Sequence, residues 1–83
     1  MGALLNRMSA AIASEVADRV AAAIVSSPYS KAQVARLAGI AATTFDRKIR
    51  GKSEFTLTEI VAIARITERP AAWFLPAVFA EVA

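Results

Sequence analysis

Side chains that carry positive charge or form hydrogen bonds are concentrated in the middle of this 83-residue chain. Between Lys31 and Lys52 there are six cationic residues against a single acid, Asp46, so this segment has a net charge of +5, whereas the rest of the chain sums to −2. A basic segment on a slightly acidic body is typical of a surface that binds a polyanion. A basic helix face that is merely solvated would give the same count, so charge alone leaves both interpretations open.

Several of these side chains fall on one side of a short predicted helix, 42–50. With 100° per residue, Phe45 and Ile49 share a buried stripe, and Thr43, Arg47 and Arg50 lie opposite it. An α-helix fits the major groove of B-DNA, where Arg can donate two hydrogen bonds to guanine and Thr can offer a hydroxyl or a methyl to base edges. We therefore predict base contacts by Thr43, Thr44 and Arg47. The structural alternative for the two threonines is that they are polar residues that cap the helix start.

A second set of residues is predicted to contact phosphates and to position the protein without reading sequence. The set is Lys31, Gln33, Lys48, Arg50 and Lys52. Asp46 could accept a hydrogen bond from a cytosine amino group. An ion pair with Arg50, four residues later, is the more common arrangement on a helix, and we favour it.

The composition excludes most catalytic and metal chemistry. The chain has neither cysteine nor histidine, which removes disulfides, thiolate metal sites and the commonest general base. We expect no enzyme activity, no metal and no cofactor. No apolar run approaches the roughly 20 residues of a membrane span, and acids interrupt the N-terminal segment before a signal peptide could form. We expect one soluble domain over 1–83, located in the cytoplasm of a bacterial cell and associated with the nucleoid.

Hydrophobic periodicity predicts an all-α fold. Leu5, Met8, Ile12, Val16, Val20 and Ile24 recur at spacings of three and four residues. The predicted helices are 4–25, 31–38, 42–50, 57–67 and a short one that begins at Pro70. Capping boxes start two of them, Ser30 with Gln33 and Thr56 with Glu59. Pro76 kinks or ends the last helix, and the tail 76–83 has no predicted structure.

The second and third predicted helices form a helix-turn-helix over 31–50. Only Gly39, Ile40 and Ala41 connect them, and a glycine just past a helix end can take the left-handed conformation that turns the chain sharply. Helices joined so closely must cross steeply, and the small Ala35 lets their backbones approach. Ile40 and Phe45 can fill the angle between the two helices.

The span from Tyr29 to Leu75 resembles the Cro and C1-type helix-turn-helix family of phage and bacterial repressors. The matching features are the small Ala35, the turn Gly39-Ile40, the buried Phe45, the helix ending Arg50-Gly51-Lys52 and the helix entry Phe55-Thr56-Leu57-Thr58-Glu59-Ile60. The resemblance implies a compact, lambda-repressor-like bundle of about five helices, with base contacts at Ala42, Thr43 and Arg47. Two positions depart from the family pattern, because Lys31 stands where glutamine is common and Ala42 where a polar residue is common.

Three functions are compatible with these features. The leading one is a sequence-specific regulator of transcription, a small Cro-like or immunity repressor that occupies an operator in double-stranded DNA. The second is a helix-turn-helix antitoxin that binds DNA and a toxin protein, and the third is a protein-interaction module. The C-terminal aromatic residues Trp73, Phe74 and Phe79 are either core or a self-association surface, through which a homodimer could form. No membrane partner and no small-molecule ligand are expected.

Overall fold

The computed structural model describes residues 2–76, and within that range every regular element is a helix. The elements are α1 (Gly2–Val25), α2 (Lys31–Leu37), α3 (Ala42–Ile49), α4 (Leu57–Thr67) and a 3-10 helix (Ala71–Phe74). The predicted all-α class is confirmed for this part of the chain. The short helix expected after Pro70 is a four-residue 3-10 helix, so the described residues contain four α-helices. None of these helices combines the length and the apolar character that a bilayer span requires.

The longest helix, α1, supplies one side of the core. Its 24 residues bury Val16, Val20 and Ile24 against the rest of the molecule. By contrast, residues 2–11 are all exposed. The long helix gives the described chain an elongated outline of 40 × 27 × 19 Å. Thus only the second half of α1 belongs to the core.

The core joins α1 to the three shorter α-helices and the 3-10 helix. Its buried residues come from every element: Val16, Val20, Ala23, Ile24, Val34, Ala35, Ile40, Phe45, Ile60, Ile63, Ala64 and Phe74. Ala35 is 3% exposed, which agrees with the small side chain predicted at the crossing of α2 and α3. The aromatic ring of Phe45 also meets that of Phe55 edge-on, with 5.7 Å between centroids.

Both predicted capping boxes are present. The Ser30 hydroxyl accepts a hydrogen bond from the Gln33 amide at 3.2 Å, and Gln33 Oε1 accepts from the Ser30 amide at 2.8 Å. Thr56 and Glu59 repeat this arrangement at the start of α4, at 3.1 Å and 2.8 Å. Each box satisfies backbone N–H groups that a helix start leaves without partners. This explains why sequence reasoning places these two helix starts correctly.

Three α-helices end in the same left-handed turn. After α2, Gly39 has φ +74°, and the Ile40 amide donates to the Ala35 carbonyl at 2.9 Å. After α3, Gly51 has φ +77°, and the Lys52 amide donates to the Arg47 carbonyl at 3.0 Å. A left-handed residue followed by such a backbone hydrogen bond is the Schellman motif. It favours glycine because a Cβ is disfavoured at positive φ.

The turn after α3 also needs a glycine for space. A Cβ on Gly51 would lie 3.3 Å from the Cα atom of Ser14 in α1. The turn at Gly39 has no such neighbour within 4 Å. Gly51 therefore allows both the left-handed turn and the close approach of α1 to the chain that follows α3.

The third turn follows α4 and has Glu68 in the left-handed position, with φ 57°. The Arg69 amide donates to the Ala64 carbonyl at 2.9 Å, as in the two glycine turns. A side chain in this conformation costs about 1 kcal/mol relative to glycine.

Candidate nucleic-acid interface

Helix α3 has one buried side and one exposed side. Phe45 is 2% exposed, and Ile49 is half-buried beside the core. On the other side Thr43, Thr44 and Arg47 are all exposed. The predicted division of this helix into a packing stripe and an outward polar side is thus present.

The predicted base-reading residues lie together on that exposed side. Ala42 begins α3 and is exposed as well. Because its side chain is a methyl group, it could make only an apolar contact with a base. No side-chain hydrogen bond caps the start of α3, where Ala41 is the N-cap residue. The structure therefore gives Thr43 and Thr44 no capping role, which was their structural alternative.

Asp46 forms the ion pair that the sequence favoured. Its Oδ2 atom lies 3.1 Å from Arg50 Nε, and its Oδ1 atom lies 3.9 Å from Lys31 Nζ. The contact with Lys31 joins α3 to the first residue of α2. A single carboxylate therefore holds two cations, one from each helix, beside the exposed side of α3. All three side chains remain at least 42% exposed.

Two further residues of the predicted phosphate set are exposed. Gln33 uses its Oε1 atom in the α2 capping box, which leaves the amide NH₂ group as a donor. Lys52 follows Gly51, and its backbone amide closes the turn after α3 while the residue is exposed. Together with Lys31 and Arg50, these residues place donors at the start of α2 and beyond the end of α3.

The structure corrects the predicted role of Lys48, which does not belong with the exposed phosphate set. Its residue is 8% exposed, and its Nζ atom lies 2.6 Å from Glu59 Oε1 and 2.9 Å from Glu59 Oε2. The ammonium group is thus engaged by both oxygens of one carboxylate. Its function in this fold is to tie α3 to the start of α4.

The electrostatics of Glu59 reflect this contact. Burial by itself raises the pKa of the carboxyl, but hydrogen bonds from Lys48 and from the Thr56 amide, with the positive charge of Lys48, outweigh it and lower the pKa below 4.5. Glu59 Oε1 accepts from both partners, at 2.6 Å from Lys48 and 2.8 Å from Thr56. One oxygen therefore serves the helix cap and the contact between helices.

The sequence predicts the C-terminal aromatic residues to be either core or a self-association surface. Phe74 is 0% exposed and belongs to the core, the first of these alternatives. Trp73 is half-buried, with the Arg69 guanidinium carbon 4.2 Å from its ring centroid and that of Arg19 at 5.9 Å. Arg19 also donates to the Trp73 carbonyl oxygen at 2.8 Å. The contacts of Trp73 are thus made within the chain, and Phe79 lies outside the described residues.

Sequence reasoning missed the role of Glu59 beyond its capping box. A carboxylate in the first turn of α4 and a lysine next to a buried stripe were both visible signals. What connects them is a side-chain contact between α3 and the start of α4, across 11 residues of sequence, which helical periodicity does not specify. In the described residues, no group of three or more acidic side chains lies close enough to hold a metal ion.

Taken together, these features define an all-helical domain that presents a short, cation-rich helix at its surface. A family model described as the BetR domain matches residues 7–81. The chain therefore belongs to the BetR domain family. No curated protein and no solved structure matches the chain.

Proposed function

We propose that this chain is a sequence-specific regulator of transcription that binds double-stranded DNA through α2 and α3 as a helix-turn-helix. Membership of the BetR domain family supports a small helical regulatory domain of the DNA-binding kind. The proposal adds that α3 enters the major groove, and that the protein acts by occupying an operator, as a Cro-like or immunity repressor does. No catalysis and no cofactor are part of this mechanism.

The observation that carries the proposal is the exposed side of α3. Arg47 projects from the middle of that side and makes no ion pair among the described residues, whereas Lys31, Lys48 and Arg50 are paired. Arg is the side chain best suited to donate two hydrogen bonds to guanine O6 and N7. Thr43 and Thr44 lie on the same exposed side, at the helix start that would reach base edges first.

The charge pattern around Arg47 supports phosphate contacts on either side of it. Lys31 lies at the start of α2, and Lys52 lies beyond the end of α3. Asp46 lies within 4 Å of both Lys31 and Arg50, which is well inside the Debye length of about 8 Å at physiological salt. Asp46 therefore holds these two cations in place and also reduces their net attraction for phosphate.

The direct test is to select bound duplexes from a random DNA pool and to measure affinity for the selected and a scrambled sequence across salt concentrations. Arg47→Ala should weaken the selected duplex by about 1–3 kcal/mol and relax the preference at one base pair. Lys31→Ala should weaken both duplexes alike and reduce the salt slope by about one. Arg65→Ala, an exposed arginine on α4, is the matched control and should change neither.

Equal affinity of the unmodified protein for selected and scrambled duplexes would reject sequence-specific binding. If Arg47→Ala weakens all sequences equally, Arg47 contacts phosphate and the base-reading role belongs elsewhere on α3. If Arg65→Ala matches Lys31→Ala in its salt slope, the interface is not centred on α2 and α3.

A further inference from the structure

The first three turns of α1 carry an apolar stripe that nothing in the described structure covers. Leu4 is 58% exposed, Leu5 is 60% exposed and Met8 is 45% exposed. Their spacing places these three side chains within a 100° arc of the helix. We call them the α1 stripe. Large contiguous apolar surface on a small domain is typical of an interaction site.

The same chain has an apolar groove where α1 passes the start of α4. Its walls include Ile12 and Val16 of α1, Leu57 of α4, and Leu75 with Pro76 after the 3-10 helix. We call this the α1–α4 groove. Leu57 is 72% exposed, and the groove is open to solvent with a volume of about 160 Å³, which is comparable to the volume of a cavity that holds benzene. One large apolar side chain would therefore fit it.

Within one chain the stripe cannot enter the groove. The stripe ends at Met8, and the groove begins at Ile12, one turn further along the same continuous helix. A helix cannot fold its own first turns onto its middle turns without breaking. The stripe of one copy can, however, enter the groove of a second copy if the two α1 helices run antiparallel.

An antiparallel pair makes both contacts at once. A twofold axis near the Met8–Ile12 segment brings Leu5 of each copy to Val16 of the other, and Met8 to Ile12. A twofold interface uses the same patch on both subunits, so a surface that carries a stripe and a matching groove is self-complementary.

The few charges at these surfaces are compatible with the pairing. Arg7 is the one charged residue between Gly2 and Ser14. Among the groove-lining residues that the structure describes, the one charged side chain is Glu54. The two have opposite signs. The one further charged residue that the structure describes beside Met8 and Ile12 is another acid, Glu15 of α1. A second copy therefore brings Arg7 to a surface whose charges are acidic, which favours it over a strongly charged partner.

We propose that this protein forms a homodimer in which the α1 stripe of each copy packs into the α1–α4 groove of the other. The proposal does not depend on DNA binding. It also differs from dimerisation through the C-terminal aromatic residues, because Phe74 is buried and Trp73 is engaged within the chain.

The test is the molecular mass of the full chain by sedimentation or light scattering over a concentration series without DNA. The unmodified protein should rise from 8.8 kDa toward twice that value as its concentration increases. Leu5→Glu should raise the dimer Kd by about 30-fold or more, as for an interface residue whose loss costs at least 2 kcal/mol. Met8→Lys, which introduces a positive charge instead of a negative one, should also raise the dimer Kd.

Two controls make the result decisive. Val25→Glu changes the far end of α1, where the side chain is 85% exposed, and should leave dimerisation unchanged. Phe79→Glu tests the C-terminal tail as the alternative interface. The proposal is overturned if the unmodified protein stays at 8.8 kDa throughout, or if Val25→Glu weakens association as much as Leu5→Glu does. It is equally overturned if Phe79→Glu abolishes the dimer and Leu5→Glu does not, because the tail would then be the interface.

Thermal unfolding of each variant separates lost association from lost folding. Leu5 and Met8 lie on an exposed part of α1, so neither substitution removes a core contact. The monomer of each variant should therefore keep the helical signal of the unmodified protein.

Discussion

The two capping boxes are built alike and are used differently. At the start of α2, Ser30 pairs with Gln33, both residues are exposed, and within residues 2–76 no side chain from another helix hydrogen-bonds to them. At the start of α4, Thr56 pairs with Glu59, whose carboxylate also receives Lys48 from α3. In the box with a charged capping residue the helix start is tied to another helix, whereas the uncharged box leaves the start of α2 exposed.

The largest expected effect comes from removing the partner of the α4 box. Lys48→Ala leaves Glu59 with its cap but without its ammonium partner, in a site where the lysine side chain is 11% exposed. We expect a loss of about 2–3 kcal/mol in the free energy of unfolding, which is a fall of about 10–20 °C in Tm for a domain of this size. Thermal unfolding followed by circular dichroism measures this.

The neighbouring cation supplies the control for that experiment. Arg47→Ala removes an exposed side chain from the same helix. It should change the free energy of unfolding by no more than about 0.5 kcal/mol, with a correspondingly small change in Tm. If both variants unfold at the same temperature, the contact between Lys48 and Glu59 does not stabilise the fold.

The second-largest expected effect is a dependence of the stability of the fold on pH. Because the folded state lowers the pKa of Glu59, its contribution to stability is complete above pH 4.5 and is lost as the pH falls below that value. Glu59→Gln keeps the cap geometry but has no carboxylate to titrate. The stability difference between the unmodified protein and this variant should therefore be greatest near pH 7 and shrink as the pH falls below 4.5. Urea unfolding at several pH values measures the difference, and a constant difference would contradict the assignment.

The smallest effect on stability comes from making the α2 box resemble the α4 box. Gln33→Glu keeps the capping interaction and places an acid in the first turn, where the helix dipole favours it by about 0.3–1 kcal/mol. On the proposed interface the same charge would repel phosphate. We therefore expect unchanged or slightly higher Tm together with weaker DNA binding, measured on the same preparation. Unchanged DNA affinity at low salt would place the start of α2 outside the interface.

The sequence predicts the local structure of this chain well because the signals are local. In each capping box the two residues lie three apart in sequence, Ser30 with Gln33 and Thr56 with Glu59. Helix α4 begins and ends at the predicted residues, Leu57 and Thr67. The left-handed turn at Gly39 and the pair of Asp46 with Arg50 are of the same kind. Each of these features depends on contacts within a few residues of sequence.

What the sequence could not predict depends on how distant elements meet. Lys48 looks like one more cation of a basic helix until α4 brings Glu59 to within 2.6 Å of it. Leu5 and Met8 continue the apolar periodicity of α1, yet the body of the protein extends along only the second half of that helix. Phe74 is buried in the core because its 3-10 helix packs against both α1 and α4, which are distant from each other in sequence.

The turns at Gly39 and Gly51 have a consequence for the entropy of association. A helix of eight residues, such as α3, is too short to persist by itself in water. Here one turn precedes it, the other closes it, and Phe45 anchors its middle, so its conformation is set before any ligand arrives. Because the backbone of this helix is already ordered, binding to it carries no cost in backbone conformational entropy.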